Sequence, residues 1–248
     1  MEGVKKLSKI MLEKKAVEIL TKYDCKYLIP EDRENLYCVN KILDIENLIE
    51  EHFDLSLDYK SLSKDGSVLG ITSFGKSLFP VISDNEKVEM IKINVGDILI
   101  DTGLIDEGNE GRIRFTMAHE LSHWILHREL FIEGYTKREK NIIISEDTKE
   151  GLLTLETQYK TDEEWIEWQA DYLAGALLMP ATLFVYYFNI IRKKLDINQS
   201  YLYLDNQKCN IQNYFYTINI LSKIFGVSRL ATKVRLCKLG LLKEEIKT

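Results

Sequence analysis

The stretch that most constrains this chain is Arg112-Ile-Arg-Phe-Thr-Met-Ala-His119-Glu120-Leu-Ser-His123-Trp-Ile-Leu-His127. On a helix each residue turns about 100°, so residues four apart stack on one face. His119 and His123 can therefore aim ring nitrogens at one metal ion. Glu120 flanks that face, where its carboxylate can reach a water beside the ion. Two imidazole ligands and a general base at this spacing suit metal-assisted hydrolysis. Phe115, Ala118, Leu121, Trp124 and Ile125 recur at helical spacing, so one side of the helix can pack into a core. Asn109-Glu110 supplies a start, with an acid in the first turn.

A catalytic zinc site needs a third protein ligand and an open fourth position. Only two other histidines exist, His52 and His127. A third histidine ten residues after His119 would fall at position 129, which is Glu129. Downstream, Glu167 and Asp171 stand four apart on a strongly apolar helix. An acid on a buried face is costly unless paired or metal-bound. Glu167 as third ligand, with Asp171 orienting a ligand histidine, accounts for both. His127 reads as a residue near the helix C-terminus that satisfies carbonyls, or as a substrate or oxyanion contact.

Phe115-Thr-Met-Ala-His-Glu-Leu-Ser-His-Trp-Ile-Leu-His127, followed by Glu167-Trp-Gln-Ala-Asp-Tyr-Leu-Ala-Gly-Ala-Leu-Leu-Met-Pro180, resembles the ImmA/IrrE family of zinc metallopeptidases over roughly residues 40–185. Ser122 stands where the family usually has Gly, and Gln169 where it often has Glu. The resemblance implies a cytoplasmic protease of a mobile element or stress response that cuts a helix-turn-helix repressor. The competing expectation is a regulator that binds a repressor or DNA without cutting.

Residues 55–101 show strand-like alternation: 55–59, 68–74, 78–82, 88–93 and 97–101, with turns at Lys64-Asp-Gly66 and Asp84-Asn85. A small sheet leading into the His-Glu-x-x-His helix fits an α+β, zincin-like metallopeptidase domain over 41–195. Ahead of it, residues 1–40 form a helical extension. Its helix spans 4–24, with Val4, Leu7, Ile10, Met11, Val17 and Leu20 near one side. Asp44 caps a second helix reaching Phe53, where His52 is structural. Residues 129–163 are polar apart from Ile142-Ile-Ile-Ser145, and read as a loop beside the cleft or as a surface insertion.

Tyr172 to Ile191 is nearly all apolar, but Pro180 interrupts it. It therefore reads as two buried helices, not a membrane span. Residues 196–248 form a helical C-terminal segment. In it Gly226 and Ser228 separate two helices in a helix-turn-helix-like outline, with Lys223, Arg229, Lys233, Arg235 and Lys238 as possible DNA contacts. The whole chain has 33 basic and 39 acidic residues, net −6, which gives no overall drive toward nucleic acid or anionic membrane. Cys25, Cys38, Cys209 and Cys237 are too scattered for a metal site, and with no N-terminal signal visible the chain reads as cytoplasmic, with reduced thiols.

Overall fold

Strands form where the sequence alternates. The computed structural model describes residues 4–31, 35–105, 108–132, 142–146 and 161–245. Strands β1 (Ser56–Lys60), β2 (Val68–Ser73), β3 (Ser77–Ile82), β4 (Val88–Ile93) and β5 (Asp97–Asp101) lie within a residue or so of the expected spans. They build two sheets, not one. β1 runs parallel to β5, and β2 is antiparallel to β5, whereas β3 and β4 pair with each other as a separate hairpin. Pro80 in β3 has no N–H to donate, which suits a strand confined to an edge.

The Ile142-Ile-Ile-Ser145 run is a sixth strand, β6 (Ile142–Glu146), antiparallel to β2. β-branched residues favour the pleated, half-buried setting, and Ile142 and Ile143 are buried. The 129–163 stretch is thus not loop throughout; the sheet order is β1-β5-β2-β6. The remainder of that insertion falls largely outside the described residues.

The first helix, α1 (Lys9–Tyr23), is capped by the Ser8 hydroxyl, which accepts from Met11 N. Its buried face is Leu12, Ala16, Ile19 and Leu20, while Ile10, Met11 and Val17 are 68, 46 and 40% exposed. Of the expected face only Leu20 is buried within the helix, because Val4 and Leu7 precede its first residue. Val4 packs instead with Phe74, Phe131, Ile143 and Ile166. Asp44 caps a short α2 (Ile45–Asn47) that runs into a π-helical turn ending at His52, whose ring meets Tyr23 edge-on at 5.7 Å.

Helix α3 (Glu110–Ile132) carries the His-Glu-x-x-His residues. It packs between the sheet and α4 (Asp162–Leu178), which begins with a Thr161/Glu164 capping box. Pro180 separates α4 from α5 (Ala181–Lys194), and the two axes bend by 59°. No single helix among the described residues is long and apolar enough to cross a membrane. Beyond a short strand, β7 (Leu202–Leu204), come α6 (Lys208–Phe225) and α7 (Arg229–Lys238), and then β8 (Leu242–Glu244), parallel to β7. Gly226 ends α6 at φ 61°, a conformation glycine adopts without strain, and Ser228 caps α7. None of the four cysteines is in a disulfide.

The terminal helices are fastened to the centre. Arg235 is 1% exposed; its guanidinium donates to both Glu13 carboxylate oxygens, at 2.7 and 3.0 Å, and its Nε donates to the Met179 carbonyl. Tyr172 also donates to Glu13, at 3.0 Å. Lys233 pairs with Glu244, and Arg229 donates to Asn219, so much of the expected basic stripe on α7 is engaged within the chain. Breaking a buried pair from one side leaves an uncompensated charge. Glu13→Ala should therefore lower the unfolding free energy by about 3 kcal/mol, read by urea denaturation. A loss under about 0.5 kcal/mol would mean that the pair behaves as a screened surface bridge.

Candidate metal centre

The centre is built on α3, which folds locally because Met117, Ala118 and Leu121 are buried in the main core. Its start is fixed by the Asn109 carbonyl, which accepts from Arg112 and Ile113. With that face inward, His119 and His123 turn toward α4 and Glu120 toward β2. The two histidine rings lie 4.5 Å apart at 76°, with their Nε2 atoms 2.8 Å from each other. Glu167, from α4, brings Oε2 to 3.3 Å from His119 Nε2 and 3.5 Å from His123 Nε2. These three residues form the group able to hold a metal ion among the described residues, each offering one ligand atom with all such atoms within 4.8 Å of one another. His123 is fully buried, whereas the Glu167 side chain is 47% exposed, so the group opens on the Glu167 side. Glu129, the alternative from spacing, is exposed and outside this group.

The chemistry of the donors fits a cation. Asp171 Oδ1 lies 2.9 Å from His119 Nδ1, and a carboxylate can only accept, so His119 Nδ1 carries the hydrogen. Any ligation of a metal by His119 is therefore through Nε2, which faces His123 and Glu167. Burial opposes charging of His119, yet the Asp171 and Glu167 carboxylates outweigh it and raise its pKa well above the usual histidine value. Burial likewise works to raise the pKa of Glu167, but His123 and His119 win and lower it. The carboxylates thus favour positive charge on His119, and the histidines favour negative charge on Glu167. A set of two imidazoles and one carboxylate suits a borderline divalent metal.

Glu120 is fully buried and faces strand β2. Its Oε2 accepts from Thr72 Oγ1 at 2.6 Å, a charge-assisted bond from strand β2. Its Oε1 is buried with no hydrogen-bond partner among the described residues. The carboxylate lies against Gly70, where an added Cβ would fall 2.5 Å from Oε1. The motif spacing points to neither Gly70 nor Thr72. A glycine inside an alternating strand does signal a close backbone approach, and that clue was available. Thr72 gave no such signal.

His127 departs from its expected role. α3 continues five residues beyond it, to Ile132, so it is not a helix-end residue. It is 2% exposed, and its Nδ1 lies 3.1 Å from Nδ1 of His123. Burial, with the neighbouring His123 ring, pushes its pKa well below the usual value, so it is neutral.

A sequence profile of the Peptidase_M78 family, described as an IrrE N-terminal-like domain, matches residues 104–236, just over half of the chain. The chain belongs to this family. Its mixed helices and small sheets are consistent with an α+β M78 domain, and the family is of metallopeptidase type. The matched region contains α3 and α4, which supply the cluster, and reaches into α7; β1 to β5 precede it. No curated protein matches the chain significantly.

Because the Glu120 carboxylate fills the space above Gly70, Gly70→Ala should cost about 1–3 kcal/mol, the range for overfilling a tight site, in equilibrium unfolding. Wild-type stability would show that Glu120 can turn away without loss.

Proposed function

We propose that this M78 protein is a zinc-dependent endopeptidase with a zincin-like site, in which His119, His123 and Glu167 hold the metal. The observation that carries the reading is the convergence of two Nε2 atoms and one carboxylate oxygen on a helix whose next residue after His119 is a buried, strand-anchored glutamate. As ligands, His119 and His123 would carry hydrogen on Nδ1 and turn Nε2 to the ion, and Glu167 Oε2 would complete the set. Asp171 fixes the His119 tautomer. Zinc held there would supply Lewis acidity toward a peptide carbonyl and toward water, whose pKa it would bring toward about 7. Thr72 pins Oε2 of Glu120, which leaves Oε1 as the proton acceptor. Glu120 takes a proton from the attacking water and delivers it to the amine as the peptide bond breaks, giving a new carboxylate and a new amino terminus.

The substrate we propose is a helix-turn-helix transcriptional repressor, supported by the resemblance of the two motif segments to anti-repressor proteases. Such a substrate places the reaction in the cytoplasm. Cleavage falls in a loop or at an exposed element end, since packed backbone cannot enter a cleft extended.

Glu120→Gln should retain metal and fold, because the amide keeps the shape, yet lose about two to four orders of magnitude in cleavage rate, the contribution of general acid–base catalysis. Cells with the wild type should lose intact repressor on induction, and cells with Glu120→Gln should keep it. Derepression by both, with repressor full-length in both, would establish binding instead of cleavage. Asp171→Ala should weaken zinc binding by about ten- to a hundredfold, measured by chelator competition. Unchanged affinity would return Asp171 to a purely structural role.

A further inference from the structure

We infer that His127 is a positioning residue for His123: it accepts the Nδ1 hydrogen of His123 and so leaves His123 Nε2 bare for the metal. The inference rests on the reading of His119, His123 and Glu167 as the metal-holding set.

An imidazole binds a metal through a nitrogen without hydrogen, so its other nitrogen must carry the hydrogen and have somewhere to donate it. For His119 the acceptor is Asp171. For His123 the partner at Nδ1 is another ring nitrogen, His127 Nδ1, at 3.1 Å. A bond between two such nitrogens holds one hydrogen, which belongs to one ring or the other. If His127 donates it, a neutral His123 keeps its own hydrogen on Nε2, pointed at His119 Nε2 2.8 Å away, and it cannot be a ligand. If His127 accepts, His123 Nε2 is bare and His127 carries its hydrogen on Nε2. Metal binding requires the second arrangement.

The placement of His127 favours this role over simple packing. It stands one helical turn beyond His123, where side chains stack. It is 2% exposed, and its Nε2 is buried with no partner among the described residues. A leucine would fill similar volume without burying an unpaired polar atom, which is ordinarily disfavoured. What the histidine adds is Nδ1, set where His123 needs an acceptor. The two ligand histidines are then backed unequally: His119 by an anion, His123 by a neutral ring.

The test uses the purified full chain, with zinc affinity measured by competition against a chelating dye. His127→Leu removes the acceptor. His127→Asn keeps one, because Asn Oδ1 occupies nearly the position of His Nδ1. His127→Phe removes the acceptor while keeping a ring, and covers the case in which the leucine variant does not fold. His123→Ala is measured alongside. We expect His127→Leu and His127→Phe to bind zinc about ten- to a hundredfold more weakly, the usual effect of removing a ligand's hydrogen-bond partner. His127→Asn should recover most of that loss, and its cobalt-substituted form should keep the wild-type visible absorption while the leucine variant's shifts. If His123→Ala loses zinc while His127→Leu and His127→Phe bind as wild type, the inference is overturned and the ligand set stands. Equal weakening by Leu, Phe and Asn would also overturn it, since packing would then be the cause. If His123→Ala binds zinc as wild type, the ligand set itself falls, and this inference with it.

Discussion

The structure depends on how α3 accommodates the polar groups it buries. His119, Glu120, His123 and His127 are all under 10% exposed. Leaving such groups unpaired inside a protein costs several kcal/mol in aggregate. The neighbours answer this face by face. α4 offers Asp171 and Glu167 to the histidines, and β2 offers Thr72 to the glutamate. The same contacts that make the helix tolerable inside the protein orient each nitrogen and oxygen. Stability and site geometry are therefore one problem here, solved by which elements lie beside α3.

Keeping α4 and β2 in place falls to the rest of the chain. Gly111 lets the start of α3 touch the α6–α7 turn, where an added Cβ would lie 2.5 Å from Ser228 N. Arg114, from the same turn of α3, donates to the carbonyls of Gly226 and Leu43. Gln169 of α4 accepts from Leu7 N, which ties the segment before α1 to the helix carrying Glu167. Arg235 joins α7 to Glu13 on α1 and to the end of α4. Both termini thus brace the pair of helices at the centre, and the main core draws residues from α1 through α7.

How much of this was legible in sequence follows from the range of each interaction. Local signals were reliable. The alternation of residues 55–101 gave the five strands, the Gly226–Ser228 punctuation gave the α6–α7 break, and Pro180 gave the break after α4. The apolar setting of Glu167 and Asp171 drew attention to the acids that the fold brings to the histidines. Contacts between distant segments left little trace. Thr72 reaches Glu120 across 48 residues, and an ordinary threonine in a strand gives no hint of that. The buried face of α1 is not legible from the period because Val4 and Leu7 lie ahead of the helix, Val4 packing in a separate cluster and Leu7 against the main core. β6 sat inside a polar stretch whose pairing with β2 is non-local. The role of His127 is hidden because α3 runs on to Ile132, and its partner is the histidine one turn before it.

The central claim is that two histidine nitrogens and one glutamate oxygen hold a metal between α3 and α4. Zinc K-edge X-ray absorption on the purified protein tests it most directly. The account predicts one zinc per chain, with nitrogen and oxygen neighbours at about 2.0–2.2 Å, the imidazole scattering of two histidines, and no sulfur. A sulfur shell at about 2.3 Å, or a spectrum unchanged when His119, His123 and Glu167 are all replaced by alanine, would contradict it.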